Sequence, residues 1–138
     1  MAKVRDVMTA DPVTITRDAS LAEASRLMRD RDIGALVVLA EDDVAGVITD
    51  RDIVVRGIAE NRMPDQTPVS EVTSEDVVTV SPEDELSRVV ETMRERALRR
   101  VPVVESGHPV GIVSLGDLAV DRDPDSVLGQ ISAADPNR

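Results

Sequence analysis

The sequence feature that most limits how this chain can fold is an internal repeat with an offset of 65 residues. When the 138-residue sequence is compared with itself at that offset, 12 of the 50 positions from 4 to 53 are identical, and the match needs no gap. Many of the differences are conservative, such as Ile15 against Val80. Agreement of this extent indicates a duplicated structural unit, so we predict two copies of one fold.

Each copy shows the same order of hydrophobic periodicities. An alternating β-branched stretch predicts a strand, apolar residues at i, i+3, i+4 and i+7 predict a helix, and two further β-branched stretches predict a strand pair before a closing helix. In the first copy these are Pro12–Thr16, the helix of Leu21 to Met28, Ala35–Leu39 with Ala45–Thr49, and Asp50–Arg56 with Gly57 as its stop. In the second they are Val77–Ser81, a helix starting near Ser81, Val101–Val104 with Val110–Ser114, and Leu115–Val120. The predicted class is mixed α/β (α+β), with the order β-α-β-β-α twice.

The repeat also sets the expected domain boundaries. The first copy is assigned to residues 1–60 and the second to residues 69–120, with a polar, proline-containing linker at 61–68 between them. Residues 121–138 form a mostly polar tail, in which Ser126–Ala133 suggests one weak helix.

Composition narrows the function classes. The net charge of −11 and the lack of Phe, Tyr and Trp disfavour nucleic-acid binding, which needs basic surfaces and stacking platforms. Without cysteine there is no disulfide framework or thiolate chemistry, and no apolar run approaches the length of a membrane span. We therefore expect a soluble cytoplasmic protein that does not bind membranes.

A seven-residue phrase occurs in both copies, as GVITDRD at Gly46–Asp52 and as GIVSLGD at Gly111–Asp117. In one interpretation the hydroxyl residue and the Asp three positions later form a capping box that starts a helix. In the other, the same helix start offers amides and a hydroxyl to a phosphate, while the Asp accepts the two hydroxyls of a ribose. Taken alone, the residues favour the capping interpretation, because such capping patterns are common, and they leave the phosphate and ribose interpretation open.

The chain from Val4 to Val120 resembles a tandem pair of CBS domains, the arrangement called a Bateman module. The resemblance rests on VRDVMTADPVTITRDASLAEASRLM, IGALVV and GVITDRDIV in the first copy, and on VVTVSPEDELSRVVETMRE, LRRVPVV and GIVSLGDL in the second. The first copy is also similar to stand-alone CBS-pair proteins of actinobacteria, of the hypoxic response type. The resemblance implies two sheets with flanking helices, pseudo-two-fold symmetry, and a cleft that binds AMP, ADP, ATP or S-adenosylmethionine in two related sites.

The resemblance further implies that each site takes its hydroxyl and Asp from one copy and its strand residues from the other. Carried onto this sequence, site A consists of Thr49, Asp50, Asp52, Val78, Thr79, Arg99 and Arg100. Site B consists of Thr14, Ile15, Gly34, Ala35, Ser114 and Asp117. The guanidiniums of site A suit phosphate oxygens, so we expect the phosphate-bearing site there, unless the arginines are only a solvated patch.

Two departures from the family pattern predict that site B is weaker than site A or empty. The first copy has Val37 where the family usually has proline, which the second copy keeps as Pro102. Leu115-Gly116 stands where the first copy has Asp50-Arg51, and glycine in a first helical turn weakens it.

Catalysis is not expected. The one histidine, His108, lies in a predicted turn, and the acidic groups have neither a second ligand type nor the spacing of a calcium loop. We therefore predict a non-enzymatic sensor of adenine nucleotides that forms a homodimer, needs no cofactor or metal, and acts on an effector protein that the sequence does not identify. The alternative is a ligand-free interaction module that dimerises through apolar helix faces bearing Leu27, Met28, Val54 and Val55.

Overall fold

A computed structural model describes residues 2–73 and 77–122 of the chain. Its α-helices are α1 (Val4–Val7), α2 (Leu21–Arg31), α3 (Asp50–Asp52), α4 (Leu86–Arg96) and α5 (Leu115–Arg122). Its strands are β1 (Thr9–Ala10), β2 (Thr14–Thr16), β3 (Ala35–Ala40), β4 (Asp43–Thr49), β5 (Arg100–Glu105) and β6 (His108–Ser114). The rest of the predicted tail, including its weak helix, lies outside the described residues.

The described residues form two compact units whose limits differ from those of the repeats. Residues 2–11 and 79–122 form unit 1, and residues 12–73 with 77–78 form unit 2. Unit 1 thus combines the start of the chain with most of the second repeat, and unit 2 combines most of the first repeat with the residues that precede the second.

Unit 2 is built on a three-stranded sheet in the order β2-β3-β4. β2 pairs with β3 in parallel and β3 with β4 in antiparallel fashion, as a crossover helix followed by a hairpin requires. The apolar stripe of α2 packs on one face of this sheet. The buried core consists of Leu21, Ala24, Met28, Leu36, Val38, Ile48, Ile53, Val69 and Val72.

Unit 1 contains a second sheet, in the order β1-β6-β5. The predicted strand Val77–Ser81 is wrong, because only Val80 joins the sheet, through one parallel bridge to Val103. The bridge matches the pairing of Ile15 with Val38 in unit 2, 65 positions earlier. In unit 2 two further bonds extend this ladder, from the amide of Val37 to the carbonyl of Val13 and from the amide of Arg17 to the carbonyl of Leu39. Unit 1 cannot form their counterparts, because Pro102 and Pro82 stand at the donor positions and have no amide proton.

Two predicted helix limits are also corrected. Ser81 lies in a turn rather than at the start of α4, which begins at Leu86. Gly57 does not stop the helix after β4, because the chain continues through a π-turn (Ile53–Gly57) and a 3-10 turn (Ile58–Glu60). A Cβ on Gly57 would lie 2.8 Å from Cδ1 of Leu21, so this glycine allows close packing.

Candidate functional site

In unit 2 the repeated phrase lies where β4 passes into α3. The backbone amide of Thr49 donates to Oδ2 of Asp52 at 2.9 Å, and the amide of Asp52 donates to Oγ1 of Thr49 at 3.1 Å. These two bonds form a reciprocal capping box, so the predicted structural interpretation of the phrase is confirmed for the first copy.

In unit 1 the phrase adopts the same arrangement between β6 and α5. The amide of Ser114 donates to Oδ2 of Asp117 at 2.9 Å, and the amide of Asp117 donates to Oγ of Ser114 at 3.1 Å. The two copies therefore agree in their bonding as well as in their sequence.

Capping leaves part of each phrase available for other partners. Within the described residues, only one oxygen of each carboxylate, Oδ2, accepts a hydrogen bond, which leaves Oδ1 of Asp52 and of Asp117 as acceptors. The hydroxyls of Thr49 and Ser114 are used as acceptors and still have a proton to donate. All four residues are partly exposed. Capping and ligand binding are therefore compatible.

The surroundings of the first phrase in unit 2 are small and acidic. Ala35 lies directly opposite Thr49 in the β3–β4 ladder, and the amide of Asp50 donates to the carbonyl of Gly34 at 3.0 Å. A Cβ on Gly34 would lie only 3.0 Å from Oδ2 of Asp50, so the carboxylate covers this glycine. Neither Asp50 nor Asp52 forms an ion pair within residues 2–73 and 77–122.

The surroundings of the second phrase in unit 1 are basic. Arg100 lies directly opposite Ser114 in the β5–β6 ladder, and the carbonyl of Arg99 accepts the amide of Leu115 at 2.8 Å. Residues directly opposite each other in a ladder project to the same face of the sheet. Both arginines are exposed and form no ion pair with the described part of the chain.

The predicted sites A and B each combine residues that the structure assigns to different units. Unit 2 holds Thr49, Asp50, Asp52 and Val78 of site A, together with Thr14, Ile15, Gly34 and Ala35 of site B. Unit 1 holds Thr79, Arg99 and Arg100 of site A, together with Ser114 and Asp117 of site B. The grouping of residues into the two sites stays a prediction.

Sequence analysis missed the support that Gly34 gives to Asp50. The sequence contains one indication of it, because the second copy has Arg99 where the first has Gly34, and Leu115 where the first has Asp50. The glycine and the acid are thus both present in the first copy and both replaced in the second. It also placed Arg99 and Arg100 with the first phrase, and did not anticipate that the β5–β6 register brings Arg100 next to the second phrase.

The other candidate groups are His108 and the acidic turn at 41–43, and both are exposed. His108 is exposed at the start of β6, and Glu41 occupies the left-handed region with a φ of 58° in the turn before β4. Across the described ranges, no three His, Cys, Asp or Glu side chains are arranged to hold a metal ion. In the same residues, no helix has the length and apolar character needed to cross a membrane.

Comparison with known proteins gives a consistent result. The family model for the CBS domain matches the chain twice, over residues 4–57 and 69–121. The CBS domain-containing protein YhcV of Bacillus subtilis is 39% identical over 122 residues, which cover 88% of this chain and 86% of YhcV. Hypoxic response protein 1 of Mycobacterium tuberculosis is 34% identical over 120 residues, which cover 86% of this chain and 84% of that protein.

Solved structures agree with these sequence matches. A crystal structure of Hypoxic Response Protein I with two coordinated zinc ions has a TM-score of 0.77 at 33% identity, covering 86% of this chain and 98% of that one. The CBS domain pair of protein MJ0100, in complex with 5′-methylthioadenosine and S-adenosyl-L-methionine, has a TM-score of 0.76 at 26% identity. That match covers 86% of this chain and 94% of the MJ0100 chain.

Proposed function

The chain belongs to the CBS-domain family and carries two CBS domains in tandem, and on that premise we propose that it is a non-enzymatic regulatory module that binds adenosine-containing ligands. Binding changes the conformation of the module, and an effector protein reads the change. The observation that carries this proposal is the doubled phrase, in which both Asp side chains cap a helix and keep a second carboxylate oxygen as an acceptor. The complex of MJ0100 with two adenosine compounds supports the ligand class.

The chemistry of the phrase fits the ribose that these ligands share. A ribose presents two adjacent hydroxyl donors, and a carboxylate oxygen held at a helix start is a charge-assisted acceptor for them. Because the ribose is common to AMP, ADP, ATP and S-adenosylmethionine, the carboxylates bind adenosine-containing ligands as a class and do not discriminate among these four. With no Phe, Tyr or Trp in the sequence, the adenine packs against aliphatic side chains.

Charge selects among these ligands. Arg99 and Arg100 are the basic residues that we propose to hold phosphate, as two exposed guanidiniums without an ion pair in the described residues. Sites A and B remain the proposed residue sets. The family resemblance groups the arginines with Asp52, whereas the β5–β6 ladder places Arg100 beside Ser114.

The proposal is tested by calorimetric titration of the full chain with AMP, ATP and S-adenosylmethionine. The informative variants are Asp52→Asn and Asp117→Asn, because the amide oxygen still accepts the capping hydrogen bond while the negative charge is lost. Loss of a charge-assisted bond predicts that affinity at the corresponding site falls by about 10- to 100-fold. Asp42→Asn, in the exposed turn before β4, is the matched control and leaves affinity unchanged. If all three variants bound these ligands as tightly as the natural chain does, the phrase would have no role in ligand binding.

The partner of the arginines follows from one further variant. In the Asp52→Asn background, ATP at low concentration binds mainly at the site that uses Asp117, because the other site is weakened. If Arg100→Ala weakens this remaining binding, the arginines serve the second phrase. If it weakens ATP binding only where Asp52 is intact, they belong to site A as the resemblance implies. If it weakens neither, the two arginines hold no phosphate.

We further propose that the protein forms a homodimer in the cytoplasm. A second candidate function, ligand-free dimerisation, is favoured by a specific observation. Val54, Val55 and Ile58 are exposed on the helical segment after β4, and Met63 is exposed just beyond it. Apolar side chains grouped on one short segment are typical of an interface. The same face serves a ligand-free dimerisation module, in which the Asp52→Asn and Asp117→Asn variants dimerise normally and the wild type binds none of the three ligands.

A further inference from the structure

The first residues of the chain complete the unit that contains the second repeat. The amide of Val4 donates to the carbonyl of Asp84 at 3.0 Å, and the amide of Arg5 donates to that of Pro82 at 3.0 Å. In return, the carbonyl of Ala2 accepts the amide of Leu86, the first residue of α4, at 3.1 Å. The segment from Ala2 to α1 therefore supplies an acceptor that the helix start needs.

The residues that precede the second repeat make the same bonds with the first repeat. The amide of Val69 donates to the carbonyl of Ala19 at 2.7 Å, and that of Ser70 to the carbonyl of Arg17 at 3.0 Å. The carbonyl of Thr67 accepts the amide of Leu21, the first residue of α2, at 2.9 Å. Each of these bonds corresponds to one in unit 1 after a shift of 65 residues in both partners.

The buried side chains of the two segments correspond in the same way as their hydrogen bonds. Val4 in unit 1 and Val69 in unit 2 have no exposed surface, and Val72 is 1% exposed. Val69 and Val72 belong to the same core cluster as Leu21, which lies in the first repeat. The bridge between Lys3 and Glu85 and the bridge between Pro68 and Ser20 show the same correspondence.

The glycine that opens the repeated phrase makes room for one of these segments. β1 pairs with β6 so that Ala10 lies opposite Gly111. A Cβ on Gly111 would lie 2.7 Å from Sδ of Met8 and 2.9 Å from the carbonyl oxygen of Thr9. Contacts this short exclude any other residue without movement of the segment, so Gly111 gives the second copy of the phrase a structural function besides its capping box.

We propose that the leading segments of the two repeats are exchanged, and that each one controls the opening of the unit that contains the other repeat. Residues 2–10 hold unit 1 closed, and residues 67–73 hold unit 2 closed. Displacing one leading segment, by a partner or by a change in the chain, therefore loosens the repeat to which that segment does not belong. This coupling does not depend on a bound ligand, so it stands or falls separately from the proposed function.

The exchange is tested by disulfide cross-linking. Because the natural chain has no cysteine, only the introduced pair can form a disulfide within the chain. Lys3 and Glu85 are partners in an antiparallel bridge, a spacing that suits a disulfide. The full chain with Lys3→Cys and Glu85→Cys is expected to form an intramolecular disulfide on oxidation, as is the chain with Ser20→Cys and Pro68→Cys. A third chain, with Lys3→Cys and Ser20→Cys, is expected to form no intramolecular disulfide, and it forms one only if the segments are not exchanged. That link, or a covalent dimer of the first variant, would overturn the proposal.

Control of opening is tested by hydrogen exchange on the full chain. Val4→Ala is expected to speed amide exchange at least tenfold in α4, β5 and β6, with α2, β3 and β4 unchanged. Its matched variant Val69→Ala is expected to give the reverse pattern. Should either variant fail to fold, Val4→Ile and Val69→Ile apply the same comparison through overpacking. Faster exchange in the variant's own repeat, or an equal increase in both units, would overturn the proposal.

Discussion

At the scale of single residues, the hydroxyl of the repeated phrase is a structural cap whose contribution can be measured without ligand. Thr49 accepts the amide of Asp52, and its replacement by Val keeps the shape of the side chain but removes the acceptor. We expect Thr49→Val to lower the free energy of unfolding by about 1 kcal/mol in urea titrations. Thr49→Ser keeps the acceptor and is expected to change it far less. Equal losses in the two variants would show that the hydroxyl contributes little to the cap.

A second residue-scale prediction concerns Gly57. Its added Cβ would meet Cδ1 of Leu21, a side chain with no exposed surface, so Gly57→Ala overpacks the core and is expected to cost about 1–3 kcal/mol. Leu21→Val removes the opposing Cδ1, and in that background the cost of Gly57→Ala is expected to fall. If Gly57→Ala instead stabilised the protein, as higher helix propensity alone would predict, the packing explanation would be wrong.

At the scale of elements, α2 and α4 end in the same way although their terminal residues differ. Asp32 and Ala97 both lie in the left-handed region, with φ of 57° and 55°. Alanine tolerates this region poorly, and glycine tolerates it well. We expect Ala97→Gly to raise the free energy of unfolding by about 1 kcal/mol, measured by chemical denaturation. Glu91→Gly, in the middle of α4, is the control and is expected to lower it by about 0.5–1 kcal/mol. A loss in both variants would contradict the cap assignment.

Elements whose structure is decided by the local sequence pattern were predicted correctly, whereas elements decided by tertiary contacts were not. β3, β4, β5 and β6 follow their β-branched stretches closely, because each is an apolar run that pairs along its length with a hairpin neighbour. Val77–Ser81 is also rich in β-branched residues, yet only Val80 pairs, since Pro82 and Pro102 lack the amide protons that would extend the ladder. Gly57 reads as a stop from local pattern alone, and only the position of Leu21 shows its packing function.

The candidate site was predicted in part for the same reason. The capping box depends on residues three positions apart and was therefore visible in the sequence. The neighbours of the box depend on strand register, which sequence does not give, so the proximity of Arg100 to Ser114 was not anticipated. The identities of Val4 with Val69 and of Val7 with Val72 marked the leading segments as part of the repeat. They did not show which repeat each segment joins.

At the scale of the whole molecule, self-association is predicted to depend on the apolar face after β4. Val54 is 58% exposed and Ile58 is 51% exposed, so a charged residue at either position leaves the fold intact. We expect the natural chain to sediment as a dimer in analytical ultracentrifugation, and Val54→Glu and Ile58→Glu to sediment as folded monomers at the same concentration. Ser87→Glu, exposed on α4 and away from this segment in the sequence, is the matched control and is expected to keep the dimer. Dimers in all three variants would place the interface elsewhere.

The central claim, that this CBS pair binds adenosine-containing ligands, is tested most directly by thermal unfolding of the full chain followed by circular dichroism. The scans are run with and without millimolar AMP, ADP, ATP and S-adenosylmethionine, since the chain has no Trp or Tyr for fluorescence. A ligand that binds only the native state raises the midpoint in proportion to the logarithm of its concentration. We predict such a rise for at least one of the four, reduced in Asp52→Asn or Asp117→Asn and unchanged in Asp42→Asn. An unchanged midpoint with all four ligands would contradict the claim and leave the doubled phrase as a pair of helix caps.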